Sequence, residues 1–269
     1  MWIQTIHALL TEFMGMSSKA RCLMEIALFL GTEFLGSLAA PKSVIFGSPG
    51  SDYERSRQRL ISSLRKKGFF EDSDVLDWIP QISEKGKNEL FDNLLPEEQW
   101  RSVWDGKWRA ISFDLPQSAR KERHQLTTWL AKRRFGNVQG SLWISHRQST
   151  NWADELKEIK VNPKQVLIFE LNPLGQEKAQ DFVAAAWNFG KINSAYAEYL
   201  AMTKKDGPLE LTNINTGDWL VSESKLWRQA FKIDPFLPSP LLPDKYLGKQ
   251  AWNQRKQIYA HIAQNLLND

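Results

Sequence analysis

Apolar residues recur along this chain in two periods, and the switches between them divide it. Ser17 or Ser18 caps a first helical run in which Leu23, Ile26, Ala27 and Leu30 are the apolar positions. "GSLAAPKSVIFGSPG" interrupts it with Gly and Pro. Asp52 then caps a second helix. Tyr53, Leu60, Ile61 and Leu64 lie roughly along one stripe of it, while Arg55, Ser56, Arg59, Ser62 and Lys66 fall mainly elsewhere. In "KKGFF", Gly68 supplies the stop and Phe69–Phe70 return the chain to a core. "VLDWIPQISEKGKNEL" reads as a short β-ribbon and a turn into another helix.

Alternation takes over in "KWRAISFD", where Trp108, Ala110, Ile111 and Phe113 are the apolar positions of a strand. Gln117 to Arg134 reads as a helix carrying Leu126, Trp129 and Leu130 at helical spacing. "NVQGSLWIS" is strand-rich and punctuated by Gly140, "NWADELKEIK" is a short helix, and "QVLIFELNP" reads as a buried strand. The order β-α-β-β-α-β is that of the split βαβ, ferredoxin-like module. Helical spacing then returns. Ala179, Phe182, Val183, Ala186 and Trp187 begin a stripe that continues through Tyr196, Tyr199 and Leu200. A further helix holds Leu226, Trp227, Ala230 and Phe231, "DPFLPSPLLP" is extended, and a last helix uses Trp252, Ile258, Tyr259, Ile262 and Leu266.

The predicted class is α+β in three modules. Residues 1–92 read as a winged helix-turn-helix, because helix, turn, basic helix, glycine, apolar pair and ribbon is that fold's order. Residues 93–103 are a linker, 104–175 the ferredoxin-like domain, and 176–269 a mainly helical domain.

Charge sharpens the first module. Ser51 to Phe70 holds six Lys/Arg against two acids, Glu71 to Asp105 holds ten acids against three bases, and Ala119 to Arg134 holds six bases against Glu122. Such blocks create local potentials that the formal net charge of +4 hides. In a winged helix the second helix enters the major groove of double-stranded DNA, where Arg pairs with guanine and Gln with adenine. Arg55, Ser56, Arg57, Gln58, Arg59, Lys66 and Lys67 are therefore the candidate DNA contacts.

The apolar fraction of 42% and charged fraction of 25% are those of a soluble globular protein. Twelve Trp supply large aromatic anchors for cores, module junctions or a ligand. Cys22 is the only cysteine, which excludes internal disulfides and Cys-based zinc clusters and fits a reducing compartment. The longest apolar stretch, Cys22 to Leu30, is too short to span a membrane and carries Glu25, and no secretory pattern opens the chain. A cytoplasmic location is the expectation.

The sequence contains no phosphate-binding loop, no nucleophile elbow and no His-Glu-x-x-His. His7, His124, His146 and His261 are scattered without ligand spacing. Asp114, at a strand tip beside a basic helix, is the one acid to weigh. Two copies across a dimer axis would hold Mg²⁺ for phosphodiester cleavage, which makes a metal-dependent nuclease the alternative function. The plainer roles for Asp114 are capping the following helix or pairing with Arg120 or Arg123.

Several runs occur together in order: "WDGKWRAISFDLP", then Arg120 and Arg123, "RFGNVQGSLWIS", "AAAWNF", "YAEYL" and "WRQAFKIDPFLPSPLLPDKYLGKQAW". Across essentially its whole length the chain resembles the PaaX family, repressors of phenylacetic-acid catabolism. The resemblance implies an N-terminal winged helix, a central domain similar to the small CRISPR-associated integration subunit, and a helical C-terminal domain. It also implies a homodimeric repressor without enzymatic activity, released from its operator by an aryl-acyl-CoA effector such as phenylacetyl-CoA. Arg120, Arg123 and Arg133 are the candidates for the effector. A CoA-thioester-binding protein with no DNA role is a further alternative. The chain departs from the family at its recognition helix, usually close to "VRTALSRL". Here the positions Arg57 to Leu64 read "RQRLISSL", as in a divergent paralogue.

Overall fold

The computed structural model describes residues 52–76, 79–86, 96–116, 118–148, 152–159, 161–172, 176–205 and 216–268. The expected helix after Ser17, Cys22 and the stretch "GSLAAPKSVIFGSPG" lie outside these. Internal contacts divide the chain into two units. One comprises Met1–Pro96, Ala195–Ala230 and Leu247–Asp269; the other comprises Glu97–Ser194 and Phe231–Tyr246.

In the first unit, helix α1 (Asp52–Lys66) buries Ile61 and Leu64. Gly68 ends it with φ +74°, the left-handed value that glycine adopts without a steric cost. Its N–H bonds the Arg65 carbonyl and the Phe69 N–H bonds the Leu64 carbonyl. Those two bonds make a Schellman stop. The reversal leads directly into β1 (Phe70–Leu76), which pairs antiparallel with β2 (Ile79–Ile82) in a two-stranded ribbon. The ribbon thus begins at Phe70, five residues before the expected Val75. Gly86 sits where an added Cβ would lie 2.3 Å from the Phe69 carbonyl oxygen, so this corner admits only glycine.

The second unit begins with helix α2 (Pro96–Arg101). Strand β3 (Trp108–Phe113), helix α3 (Arg120–Lys132), strands β4 (Gly136–Gln139) and β5 (Leu142–Ser145), helix α4 (Trp152–Glu158) and strand β6 (Val166–Leu171) follow. The sheet order is β4-β5-β3-β6 and all three pairings are antiparallel. That is the predicted split βαβ topology. Ile111, Phe113 and Val166 meet Leu126, Trp129 and Leu130 of α3 and Trp152 and Leu156 of α4 in one buried core. The other face carries Trp108, whose ring packs on Trp104 at 5.3 Å and on Trp187 at 5.8 Å.

Strand β6 corrects the sequence reading. It is not a buried strand but an edge strand, with Leu167, Ile168 and Phe169 exposed at 66, 42 and 39%. An apolar run reads the same whether neighbours or solvent flank it. Only the sheet order reveals the edge.

The expected long stripe from Ala179 to Leu200 is broken at Trp187–Asn188 into α5 (Gln176–Ala186) and α6 (Phe189–Lys205). Helices α7 (Thr216–Ile233) and α8 (Gly248–Asn268) follow. In the first unit, Glu223 and Arg255 form a fully buried pair, Nε to Oε1 at 2.9 Å. Tyr199 donates to Glu223 Oε1 at 2.8 Å and Tyr259 to Oε2 at 3.2 Å. The Arg255 guanidinium lies 4.8 Å from the Trp227 ring. The carboxylate is therefore bonded by an ion and two phenols, as a buried charge requires.

Candidate nucleic-acid interface

The period of α1 places its chemistry. Ile61 and Leu64 face inward, and Gln58, Arg59, Ser62, Ser63 and Lys66 line one shallow open surface on the outside. Positions i, i+4 and i+8 of a helix share a face, so Gln58, Ser62 and Lys66 form a polar row with Arg59 and Ser63 beside it. Arg and Gln are the side chains that read guanine and adenine edges, and Ser and Lys suit phosphate oxygens. Lys67, also exposed, follows at the turn. Arg55, Ser56 and Arg57 belong to the same helix, but their side chains lie outside the described residues.

The end of α1 is fixed to the ribbon. Arg65 Nε donates to the Glu71 carbonyl at 3.1 Å. Lys85 Nζ donates to the Lys67 carbonyl at 2.7 Å and lies 5.3 Å from the Phe69 ring. Ser83 Oγ donates to the Gly68 carbonyl at 2.6 Å and accepts from the Gly86 N–H at 3.0 Å. Helix and ribbon thus present their outer faces with a set geometry.

The three central arginines proposed for an effector do not converge. Arg123 donates to the Leu115 carbonyl and lies 5.9 Å from the Phe113 ring. Arg133 pairs with Glu155 and stacks 4.2 Å from the Trp129 ring. Arg120 is exposed at the start of α3. The sequence reading missed Arg134. Its Nη1 donates to the carbonyls of Phe231 at 2.8 Å and Asp234 at 2.5 Å, and its guanidinium lies 4.8 and 4.7 Å from the Phe231 and Phe236 rings. Asp234 is itself buried, accepting from the Phe236 N–H at 2.8 Å and from the Tyr246 hydroxyl. The sequence signals were the run beginning at Arg134 and the clustering of Asp234, Pro235 and Phe236 after a helix.

Asp114 is exposed at the end of β3, and its N–H bonds the Gln165 carbonyl at 3.0 Å. It does not cap α3: Ala119 holds the cap position, with no side-chain bond. Nor does it pair with Arg120 or Arg123. No group of three or more His, Cys, Asp or Glu placed to hold a metal occurs among the described residues.

A second charged site lies near the start of β3. Arg109 grips Asp105 with both terminal nitrogens, at 2.7 and 2.5 Å, and Gln148 adds a bond at 3.0 Å. The Arg109 hydrogen bonds hold Asp105 down to about 2. Lys107 bridges to Glu170 at 2.8 Å. Lys107 and Arg109, the latter also 3.5 Å from Glu170, tie this end of β3 to β6. No helix among the described residues is long and apolar enough to cross a membrane.

Comparison with known proteins agrees with this architecture. The family model described as the PaaX protein central Cas2-like domain matches residues 101–183, and the one described as the PaaX-like protein C-terminal domain matches residues 187–266. A search of curated proteins finds no match. Among solved structures the chain is similar to the uncharacterized protein Rv0674 from Mycobacterium tuberculosis. The two share 16% identity with a TM-score of 0.60, over 93% of this chain and 98% of that one. At that identity the likeness concerns the fold alone. The two family matches together take in more than half of the sequence, in the order the motifs predicted, and the chain belongs to the PaaX family.

Proposed function

We propose that this chain is a sequence-specific transcriptional regulator that binds double-stranded DNA through the outer face of α1. The observation that carries this reading is the polar row Gln58, Ser62 and Lys66 with Arg59, set opposite buried Ile61 and Leu64 and closed by a glycine stop into a ribbon. In this reading residues 1–92 are assigned to the DNA-binding winged helix-turn-helix, 104–175 to the ferredoxin-like domain and 176–269 to the helical domain, while the expected linker at 93–103 contains helix α2. The PaaX kinship supports a repressor of an aromatic-acid operon, released by phenylacetyl-CoA or a related thioester. It also supports a regulator rather than an enzyme.

The protein acts as a homodimer. The exposed Leu167, Ile168 and Phe169 on an edge strand suit a second copy, since an unpaired apolar edge is a ready template for association.

The test is binding to the DNA upstream of its own operon at several salt concentrations. Arg59→Ala with Lys66→Ala should weaken binding about tenfold or more, because one lost bidentate base contact alone is worth ~1–3 kcal/mol. Unchanged affinity would remove α1 from the interface. A melting-temperature rise with phenylacetyl-CoA is expected for an effector that binds the native state. Metal-dependent cleavage that disappears in Asp114→Ala would instead favour the nuclease.

A further inference from the structure

Helix α3 carries a second basic face that the reading above leaves unused. Arg120, Lys121, His124 and Lys132 are all exposed. At 3.6 residues per turn they fall within about a third of the helix circumference. Buried Leu126, Trp129 and Leu130 occupy the opposite side. Glu122 is the only acid in the helix and lies outside that arc. The neighbouring cations are engaged: Arg123 with the Leu115 carbonyl, Arg133 with Glu155, and Arg134 with two carbonyls and two rings. Among the described residues, Arg120, Lys121 and Lys132 have neither an acidic nor a hydrogen-bonding partner.

At its first turn this arrangement works against the helix that carries it. The first turn of any helix already bears a partial positive charge, and acids there are stabilising. Here Arg120 and Lys121 add two full positive charges, and Ala119 at the cap offers no side-chain acceptor. Stability alone would favour acids at positions 120 and 121, as at Glu122 beside them, whereas Lys132 in the last turn suits the dipole. From Arg120 to Lys132 is twelve residues at 1.5 Å each, about 18 Å. One DNA strand presents a phosphate about every 3.4 Å of duplex axis, so the row is as long as about five phosphates. A partner with negative charge spread along a line matches this row end to end.

We propose that the outer face of α3 is a second DNA contact, which holds the phosphate backbone without reading bases. This inference rests on the regulator reading and assigns a further surface to it. Its contribution is independent of sequence, in contrast to that of Gln58 and Arg59.

The experiment uses the full chain carrying Arg120→Ala, Lys121→Ala and Lys132→Ala together. Fluorescence anisotropy is read over a salt series on a duplex containing the binding site and on a scrambled duplex. Affinity for both should fall by the same factor, and the slope of log K against log salt should lose up to about 2.7, from ~0.9 per phosphate contact. The melting temperature should hold or rise, whereas a merely structural role would lower it. A slope unchanged in the triple variant, while the α1 variant loses binding, overturns the α3 contact and leaves the regulator standing. A wild-type protein that binds neither duplex overturns both. If the triple variant keeps its slope but loses its thermal shift with phenylacetyl-CoA, the face belongs to the effector and the DNA assignment is wrong.

Discussion

Arg134 holds a backbone conformation that its side chain must repay. Its φ of +63° lies in the left-handed region, disfavoured for any residue with a Cβ. In return the guanidinium sits between the Phe231 and Phe236 rings and bonds two carbonyls, Phe231 in the last turn of α7 and Asp234 just beyond it. A planar fork serves both purposes, and an ammonium does not. Arg134→Ala should cost about 2–3 kcal/mol, the scale of charged hydrogen bonds lost. Arg134→Lys should recover only part of that in urea denaturation. His146 makes a different prediction. Burial, with Arg147 and Arg109 nearby, lowers it from 6.5 to about 3. The fold therefore holds the neutral ring. Its contribution is full above pH 6.5 and is lost at about 1.4 kcal/mol per pH unit as pH falls toward the folded value. Asp105, lowered from 3.8 to about 2, adds its own loss only as pH falls below 3.8. His146→Phe should flatten the dependence of the denaturation midpoint between pH 6 and 4. An unchanged slope would place the titration elsewhere.

At the scale of elements, alternation and helical spacing were sufficient to read β3, α3, β4, β5, α4 and β6 in order. Gly68 and Gly140 were legible because a chain reversal at φ of +74° or +53° favours glycine. The placement of β6 at the edge was not legible, because sheet order depends on partners far away in sequence. The role of Arg134 was hidden for the same reason: its partners lie about a hundred residues onward, and a basic block looks alike whether solvated or caged. The break between α5 and α6 was masked by an apolar stripe that runs through it. The edge carries a prediction of its own. If the proposed dimer forms through this edge, Leu167→Asp with Phe169→Asp should leave a monomer by light scattering, with the fold retained because both side chains are exposed. A dimer that persists would move the interface off β6.

For the molecule as a whole, the net charge of +4 understates what the chain presents. Of the basic block at 51–70, Arg59 and Lys66 line the outer row of α1, and the block at 119–134 divides into caged arginines and the open face of α3. The acidic block between them includes Glu71 and Asp72 on the exposed side of the ribbon, so the ribbon adds little attraction for phosphate. Under the proposed DNA-binding role, the sequence preference should follow α1. The most direct measurement is selection of bound fragments from the genome by the purified protein, followed by sequencing. The account predicts one enriched inverted repeat near an aromatic-acid operon, lost in Arg59→Ala with Lys66→Ala. Recovery of no common motif by the wild-type protein, or the same motif by the variant, would contradict it.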